Sequence, residues 1–519
     1  FDIIRCIETN CHSKNKLVYK IATISSEVHR MEKQKYNLDQ SLAELDKLLN
    51  LSAKETDKSA CETLAEKARI IYEQYPESED IALRYARILF NLSVEQGDVE
   101  ELLNTANAVK EIFELFKQSE DIALHYARTL VNLSAKQEIV EELQNTANAV
   151  KEIFELFKQS EDIALRYASA LFNLSNRQND IKDRKETISE IETLTLKFQH
   201  SEDIALRYAM TLVNLSAKQA NIEELGKTIH SVKQIFEQFN QSEKITLQYA
   251  MALVNLSSEQ VNVEELSKTV NSVKQIFEHF KHSEDIALQY AMALVNLSAK
   301  QINVEELGKT ANSIQQIFEQ FKQSEDIALQ YAMALFNLSL EQTNLDKLND
   351  TASKLKKIAL SFEKTEDITL YYAKALAKII TKQQNEEEKL EIIDKLKRLH
   401  NRFVQSEEIT VQYLTARMDL VKNNQIDQSN LLNDIYQSLE SIPSIKILNM
   451  LIEILENEEQ FKQDQVKIST TNIVKALDKL CFDSSIEEGK DEKEKNLLIR
   501  TLKLGIISDT KYDILKDWI

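Results

Sequence analysis

Arginine, glutamine, methionine and asparagine side chains recur at fixed positions of a repeat of 41 residues. In each copy they fill three positions, spaced i, i+3 and i+7. Guanidinium groups bind carboxylates and phosphates, thioethers make adaptable apolar contacts, and amides hydrogen-bond to peptide backbone. The pattern therefore predicts a partner-binding surface. The candidate binding residues are Arg84, Arg87, Asn91, Arg128, Asn132, Arg166, Asn173, Arg207, Met210, Asn214, Gln248, Met251, Asn255, Gln289, Met292, Asn296, Gln330, Met333 and Asn337.

The character of this surface changes along the sequence. Arginine is concentrated in the early copies, and none occurs between residues 208 and 397. Glutamine and methionine replace it in the middle copies. The early copies therefore favour an acidic segment in a protein or peptide partner. Two structural interpretations stay open: the methionine column packs beneath the neighbouring helix, or the asparagine column hydrogen-bonds to the adjacent repeat.

Residues for catalysis or metal binding do not form a recognisable pattern. The eight histidines share no column of the repeat, and the sequence has no glycine-rich phosphate loop and no nucleophile elbow. Cys6 and Cys11 lack the second pair of ligands that a zinc site needs. We therefore predict that the protein is not an enzyme and holds no metal and no cofactor.

Charge and hydropathy limit the class of partner. A net charge of −20 disfavours nucleic acid, although helical repeats can read RNA. No apolar run is long enough to span a membrane, and no signal-peptide pattern opens the chain. The few scattered cysteines are typical of a reducing compartment. We predict a cytoplasmic protein without a membrane partner; the oligomeric state is not predicted.

A tyrosine recurs every 41 residues from Tyr85 to Tyr413, which predicts a tandem array. Only 5 Gly and 2 Pro occur, and this favours helices because sheets and long loops use both residues in turns. In the copy at 283–323, the first helix begins after the N-cap Ser283. Its apolar residues cover a broad arc that includes the tyrosine. This arc predicts a helix packed between neighbours, with the tyrosine in the core.

The second helix of the same copy begins after Asn303, with Glu306 three residues later. This capping-box-like signal recurs at Asn221 and Asn262. A glutamine ends each first helix, as Gln301 does in this copy. We predict that its side chain satisfies hydrogen-bonding groups of the turn that follows. Short connections predict antiparallel neighbours. The string Asn-Leu-Ser also recurs and matches the N-glycosylation pattern. Because the string lies within a predicted helix, we interpret this match as a coincidence.

Counting in this register gives ten copies. We predict an all-α fold, a right-handed superhelical solenoid of about ten two-helix repeats with helical caps. Residues 37–446 form the repeats, and residues 447–519 form a C-terminal helical cap. Residues 1–36 form an N-terminal helical cap or the tail of an upstream domain, since the chain begins with Phe1 rather than Met.

The junctions between copies resemble the tetratricopeptide repeat family. Residues 72–89 combine an aromatic-rich helix end, Pro76 at the junction, and the large-small pair Tyr85 and Ala86. The resemblance covers about residues 37–446 and implies that the first helices line a groove for extended peptides. The period departs from the family's roughly 34 residues. The armadillo family shares the Asn-Leu-Ser string, but it needs a third short helix for which the junction leaves no room.

These observations predict a non-enzymatic repeat scaffold that binds a protein or peptide along its first helices. The alternative is a sensor or regulatory arm of a larger effector or signalling protein whose catalytic domain lies outside this chain. Nearly identical repeats suit a recognition arm of that kind. The full open reading frame would distinguish the two.

Overall fold

The computed structural model describes residues 37–422, 428–442 and 444–456, which are helical apart from short connections. The predicted caps at 1–36 and 447–519 lie outside these ranges, except for residues 447–456. The helices are α1 (37–52), α2 (Lys58–Gln74), α3 (Glu79–Glu95), α4 (Val99–Leu115), α5 (Glu120–Lys136), α6 (Val140–Leu156), α7 (Glu161–Arg177), α8 (Ile181–Lys197), α9 (Glu202–Ser216), α10 (Ile222–Gln238), α11 (Glu243–Glu259), α12 (Val263–His279), α13 (Glu284–Ser298), α14 (Val304–Gln320), α15 (Glu325–Glu341), α16 (Leu345–Ser361), α17 (Glu366–Lys382), α18 (Glu386–Arg402), α19 (Glu407–Lys422), α20 (Gln428–Ser441) and α21 (Ile445–Glu456).

The predicted all-α array of helix pairs is confirmed. Odd-numbered helices are the first helices of the repeats and even-numbered helices, up to α20, are the second. The chain divides into two units, Phe1–Ala252 (unit 1) and Leu253–Ile519 (unit 2), each described by itself. No strand occurs within the described ranges, and no third helix intervenes between the pairs from α1 to α20.

Within each unit the two kinds of helix pack differently. Consecutive first helices lie directly against one another, as α3, α5, α7 and α9 do in unit 1. Consecutive second helices are connected by long polar side chains: Lys151 lies 2.9 Å from Glu190, and Lys185 lies 3.1 Å from Glu224. The first helices therefore form a close-packed layer whose outward positions keep a constant register from repeat to repeat.

Cap residues set the ends of the helices where the sequence predicts them. Asn303 accepts hydrogen bonds from the backbone N–H groups of Glu305 and Glu306, at 2.8 and 3.2 Å. The hydroxyl of Ser283 accepts from the backbone of the first turn of α13. Both caps satisfy N–H groups that a helix leaves without partners.

The recurring tyrosine lies in the core, as predicted. Its exposed fraction is only 2% to 8% from Tyr85 to Tyr413. In most repeats its ring contacts an aromatic ring of the preceding second helix, as Phe236 contacts Tyr249 with centroids 5.0 Å apart. Burial of a large side chain contributes about 1.5–3 kcal/mol, so this contact helps to hold each helix pair onto the next.

The glutamine that ends each first helix clamps the turn. The hydroxyl of Thr146, on α6, donates to Oε1 of Gln137 at 2.9 Å, and both side chains are buried. The same bond recurs in other repeats at 2.9 to 3.0 Å. Gln260 is an exception, since its Oε1 atom is buried without a hydrogen-bond partner among the described residues.

Candidate binding surface

The candidate binding residues lie on one face of the first helices, called here the first-helix face. This face is described separately for the two units. In unit 1 it carries Arg84 and Arg87 on α3, Arg128 on α5, Arg166 on α7 and Arg207 on α9. Because α3, α5, α7 and α9 pack side by side, these arginines form a row across neighbouring helices.

Most arginines of this row form no ion pair within the part of the chain that the structure describes. Arg84 is neutralised, since its Nε donates to Asp46 at 2.7 Å and its Nη1 lies 3.6 Å from Asp80. The other four, Arg87, Arg128, Arg166 and Arg207, form no ion pair with any carboxylate of the described residues. Four unpaired guanidinium groups on one face of a chain with net charge −20 create a local positive potential.

Two of the arginines stack on phenylalanine rings of the preceding first helix. The guanidinium carbon of Arg128 lies 5.8 Å from the ring centroid of Phe90, and that of Arg207 lies 5.7 Å from Phe172. A cation over an aromatic face gains about 0.5–2 kcal/mol. A guanidinium held over a ring in this way can still donate hydrogen bonds from its N–H groups to an anion.

His125 lies within the same cluster and was not among the predicted binding residues. Its ring centroid lies 5.7 Å from that of Phe90, it is only 6% exposed, and its Nδ1 has no partner among the described residues. Burial, together with the charges of Arg128 and Arg87, lowers the pKa of His125 to about 3. The imidazole is therefore neutral at physiological pH.

Arg166 feels the same positive surroundings from the next helix. Burial lowers its pKa, and the charges of Arg128 and Arg207 lower it further, while Asp162 and Asp203 oppose this effect. Its Nε is buried without a hydrogen-bond partner among the described residues. The positive charges of Arg128 on α5 and Arg207 on α9 therefore both act on Arg166 of α7.

The asparagine column forms a ladder between repeats. Asn132 donates its amide N–H to the hydroxyl of Ser93 at 2.9 Å, and that hydroxyl donates to the carbonyl of Phe90 at 2.6 Å. Asn214 departs from the pattern and donates to Asn176. The ladder bonds of unit 1 run from Asn91 to Ser52, from Asn132 to Ser93 and from Asn173 to Ser134. Those of unit 2 run from Asn296 to Ser257 and from Asn337 to Ser298.

This ladder explains why Asn-Leu-Ser recurs. In most repeats the string supplies an asparagine that donates to the preceding repeat, a serine that accepts from the following one, or both. The side-chain amides therefore have the structural role that the sequence left open as an alternative. Asn255 also has a bonding partner. Any contact of this column with a peptide backbone remains a prediction.

The methionine and glutamine columns are half-buried. In unit 1 these are Met210, Gln248 and Met251, and in unit 2 they are Gln289, Met292, Gln330 and Met333. Met210 also lies 3.9 Å from Nη1 of Arg207, measured to its sulfur. The side chains are neither in the core nor fully in solvent, which fits a surface that is partly packed and partly available.

Other kinds of site were sought across the part of the chain that the structure describes. There, no group of three or more His, Cys, Asp or Glu side chains could hold a metal ion. None of the helices in these ranges is both long and apolar enough to cross a bilayer.

Comparison with known proteins yields no family. No family model matches the sequence, and no curated protein matches it. A solved structure described as "Structure of Naa15/Naa10 bound to HypK-THB" is 12% identical, with a TM-score of 0.28 over 89% of this chain; this chain spans 66% of that one. A structure described as "Computational Design of Self-Assembling Cyclic Protein Homooligomers" is 16% identical, with a TM-score of 0.08 over 70% of this chain and 99% of that one. At these values neither structure bears on what this chain binds.

Proposed function

We propose that this protein is a non-enzymatic, tetratricopeptide-like scaffold that binds a protein or peptide partner along its first-helix face. An acidic segment of the partner binds the arginine row of unit 1. The half-buried methionines accept apolar side chains. The proposed array spans residues 37–446 and works in the cytoplasm, where Cys61 stays a buried free thiol.

The observation that carries this proposal is the unpaired arginine row. Ion pairs are available elsewhere in unit 1, as Arg69 shows with Glu66 and Glu73 on α2. The charges of Arg128 and Arg207 act against that of Arg166, and an anionic partner would offset this repulsion. Guanidinium–carboxylate hydrogen bonds are charge-assisted and about twice as strong as neutral ones, which favours an acidic peptide over a neutral one.

The chain itself supplies conservative replacements for the test. Methionine occupies the positions of later repeats that are equivalent to Arg87 and Arg128, and glutamine occupies those equivalent to Arg166 and Arg207. The test variant carries Arg87→Met, Arg128→Met, Arg166→Gln and Arg207→Gln. The control variant loses the same formal charge elsewhere in unit 1, through Arg69→Gln, Lys110→Gln, Lys117→Gln and Lys158→Gln.

A random peptide library displayed on phage is selected on the native chain, and the enriched peptides are measured by fluorescence anisotropy. We expect them to carry Asp or Glu, to bind the control variant as they bind the native chain, and to lose more than about tenfold in affinity for the test variant. Enriched peptides without acidic residues, or with equal affinity for a folded test variant, would refute binding at the arginine row.

A second candidate is the sensor or regulatory arm of a larger multidomain effector or signalling protein. Near-identity of the repeats favours it, since residues 104–124 and 145–165 have the same sequence. Such copies provide one recognition unit many times over. Sequencing the full open reading frame tests this candidate: a fused catalytic domain would support it, and a reading frame that holds only repeats would exclude it.

A further inference from the structure

The junction of α3, α5 and α7 differs from the rest of the arginine row. The positive charges of Arg87 on α3 and Arg128 on α5 act on the buried imidazole of His125, and that of Arg128 acts on Arg166 of α7. Arg87 lies one turn before Phe90 on the same face of α3, and Phe90 contacts both His125 and Arg128. We infer that this cluster, called the phosphate pocket, binds the dianionic phosphate of a phosphorylated side chain in a partner peptide; this inference rests on the proposed function.

The arrangement of the donors favours phosphate over carboxylate. A carboxylate is planar and is satisfied by one bidentate guanidinium, whereas a phosphate presents oxygens in three directions. The guanidinium groups here come from three different helices. Arg128 lies over the ring of Phe90, and the N–H groups of a guanidinium lie in its plane, where they can donate to an anion.

The charge of the cluster leads to the same ligand class. A phosphomonoester carries about −1.5 to −2 charges at pH 7, and a carboxylate carries only one. Arg87, Arg128 and Arg166 have no ion-pair partner among the described residues. The acidic side chains that influence Arg166, Asp162 and Asp203, are not ion-paired with it. A dianion therefore balances the three cations better than a single carboxylate.

Two buried polar atoms at the cluster are without partners among the described residues, Nδ1 of His125 and Nε of Arg166. Buried polar groups in folded proteins are almost always hydrogen-bonded. The Nε–H group of Arg166 can donate to a phosphate oxygen, and the neutral imidazole of His125 can donate from one ring nitrogen.

No other described junction has the same set of side chains. In unit 2, the positions equivalent to Phe90, His125 and Arg128 hold Val295, Gln330 and Met333. At the junction of α15 and α17, a phenylalanine again lies under a cation, but Lys374 is the one cation on its ring. A lysine is a point charge without the guanidinium fork. The phosphate pocket is therefore a local feature of unit 1.

The test uses the full chain and three degenerate peptide libraries that differ only at a fixed central residue, which is phosphoserine, serine or glutamate. Inorganic phosphate serves as competitor. The variants are Arg128→Met and Arg128→Lys, with Arg69→Gln as the control. Circular dichroism and thermal melting establish that each variant is folded. Methionine is the residue that later repeats place at the position equivalent to Arg128.

We expect the phosphoserine library to bind at least about tenfold more tightly than the glutamate library. Arg128→Met should abolish that preference, and Arg128→Lys should reduce it because the bidentate contact is lost. Arg69→Gln should leave it unchanged. Inorganic phosphate at high concentration should compete.

Several outcomes would overturn the inference. If the glutamate library binds as tightly as the phosphoserine library, the scaffold proposal survives and the phosphate pocket does not. Phosphoserine binding that persists in a folded Arg128→Met variant also excludes the pocket. If a single-stranded oligonucleotide outcompetes the phosphopeptides and depends on Arg128, the phosphate belongs to nucleic acid. Failure of every library to bind would refute the scaffold proposal together with the pocket.

Discussion

Acidification should destabilise unit 1 through His125, and His125→Gln should remove that effect. In the folded chain the pKa of His125 is about 3, because the ring is buried beside Arg128 and Arg87; its ordinary value is 6.5. Between these two values the unfolded chain binds a proton that the folded chain does not. Stability therefore falls as the pH falls from 6.5 towards 3, and it is unaffected by this group above pH 6.5.

The size of the effect at pH 5 depends little on the folded pKa. Each pH unit between the two pKa values changes the free energy of unfolding by about 1.4 kcal/mol. At pH 5, about 1.5 units below the ordinary value, the loss is therefore about 2 kcal/mol. Any folded pKa well below 5 gives nearly the same result.

The assay compares urea unfolding of the native chain and the His125→Gln variant at pH 7.5 and pH 5.0. Carboxylates titrate in both proteins, so the difference between them isolates the histidine. Hydrogen exchange of the α5 amides localises the effect, since repeat arrays can open regionally. His230→Gln, which replaces an exposed histidine of α10, is the control and should behave like the native chain.

Equal acid-induced loss in the native chain and in His125→Gln would contradict the reasoning. It would mean that the imidazole is protonated in the folded state or reaches solvent. In either case the burial of this imidazole beside Arg128 and Arg87, on which the phosphate pocket rests, would be wrong.

Three further predictions concern the array itself. Asn296→Ala removes a ladder bond of 2.7 Å and should lower the free energy of unfolding by about 1 kcal/mol in urea titration; no change would mean that the ladder is not stabilising. Gln137→Ala leaves the buried hydroxyl of Thr146 without its acceptor and should cost about 1–2 kcal/mol, whereas Gln260→Ala, at a site without that bond, should cost less in the same assay. Met333→Lys should cost under about 1 kcal/mol by thermal melting, because the stem of a lysine covers apolar surface and the next repeat already has lysine there; collapse of the fold would instead place the methionine column in the core.

The helices and their ends could be predicted from the sequence because the signals are local. Ser283 and Asn303 mark helix starts through their own side-chain oxygens, and the structure confirms both. The tyrosine column could be assigned to the core because it lies inside the apolar arc of one helix. Forty-one-residue repetition adds many copies of the same signal, which reduces the ambiguity of each.

Contacts between repeats could be predicted less well. Whether the amide of Asn296 reaches a serine or faces a ligand depends on the stagger of neighbouring helices, which no single helical wheel contains. The burial of His125 is a second example, since it is on the polar arc of its own helix. The ring of Phe90, from the preceding repeat, covers it. The sequence signal for this burial was that several other repeats hold valine at the position of Phe90.

The internal repeats also separate residues that the stack requires from residues that it does not. The asparagine–serine ladder, the glutamine–threonine clamp and the tyrosine contact recur in both units. The ladder and the tyrosine contact account for how one pair packs on the next, and the clamp joins the two helices of one pair. The positions of Arg128 and Arg166 take part in none of these bonds, and they change to Met and Gln without altering the helices that carry them. Stacking therefore places little constraint on these positions. Their change from cationic to neutral side chains is therefore free to follow the binding that we propose for the first-helix face.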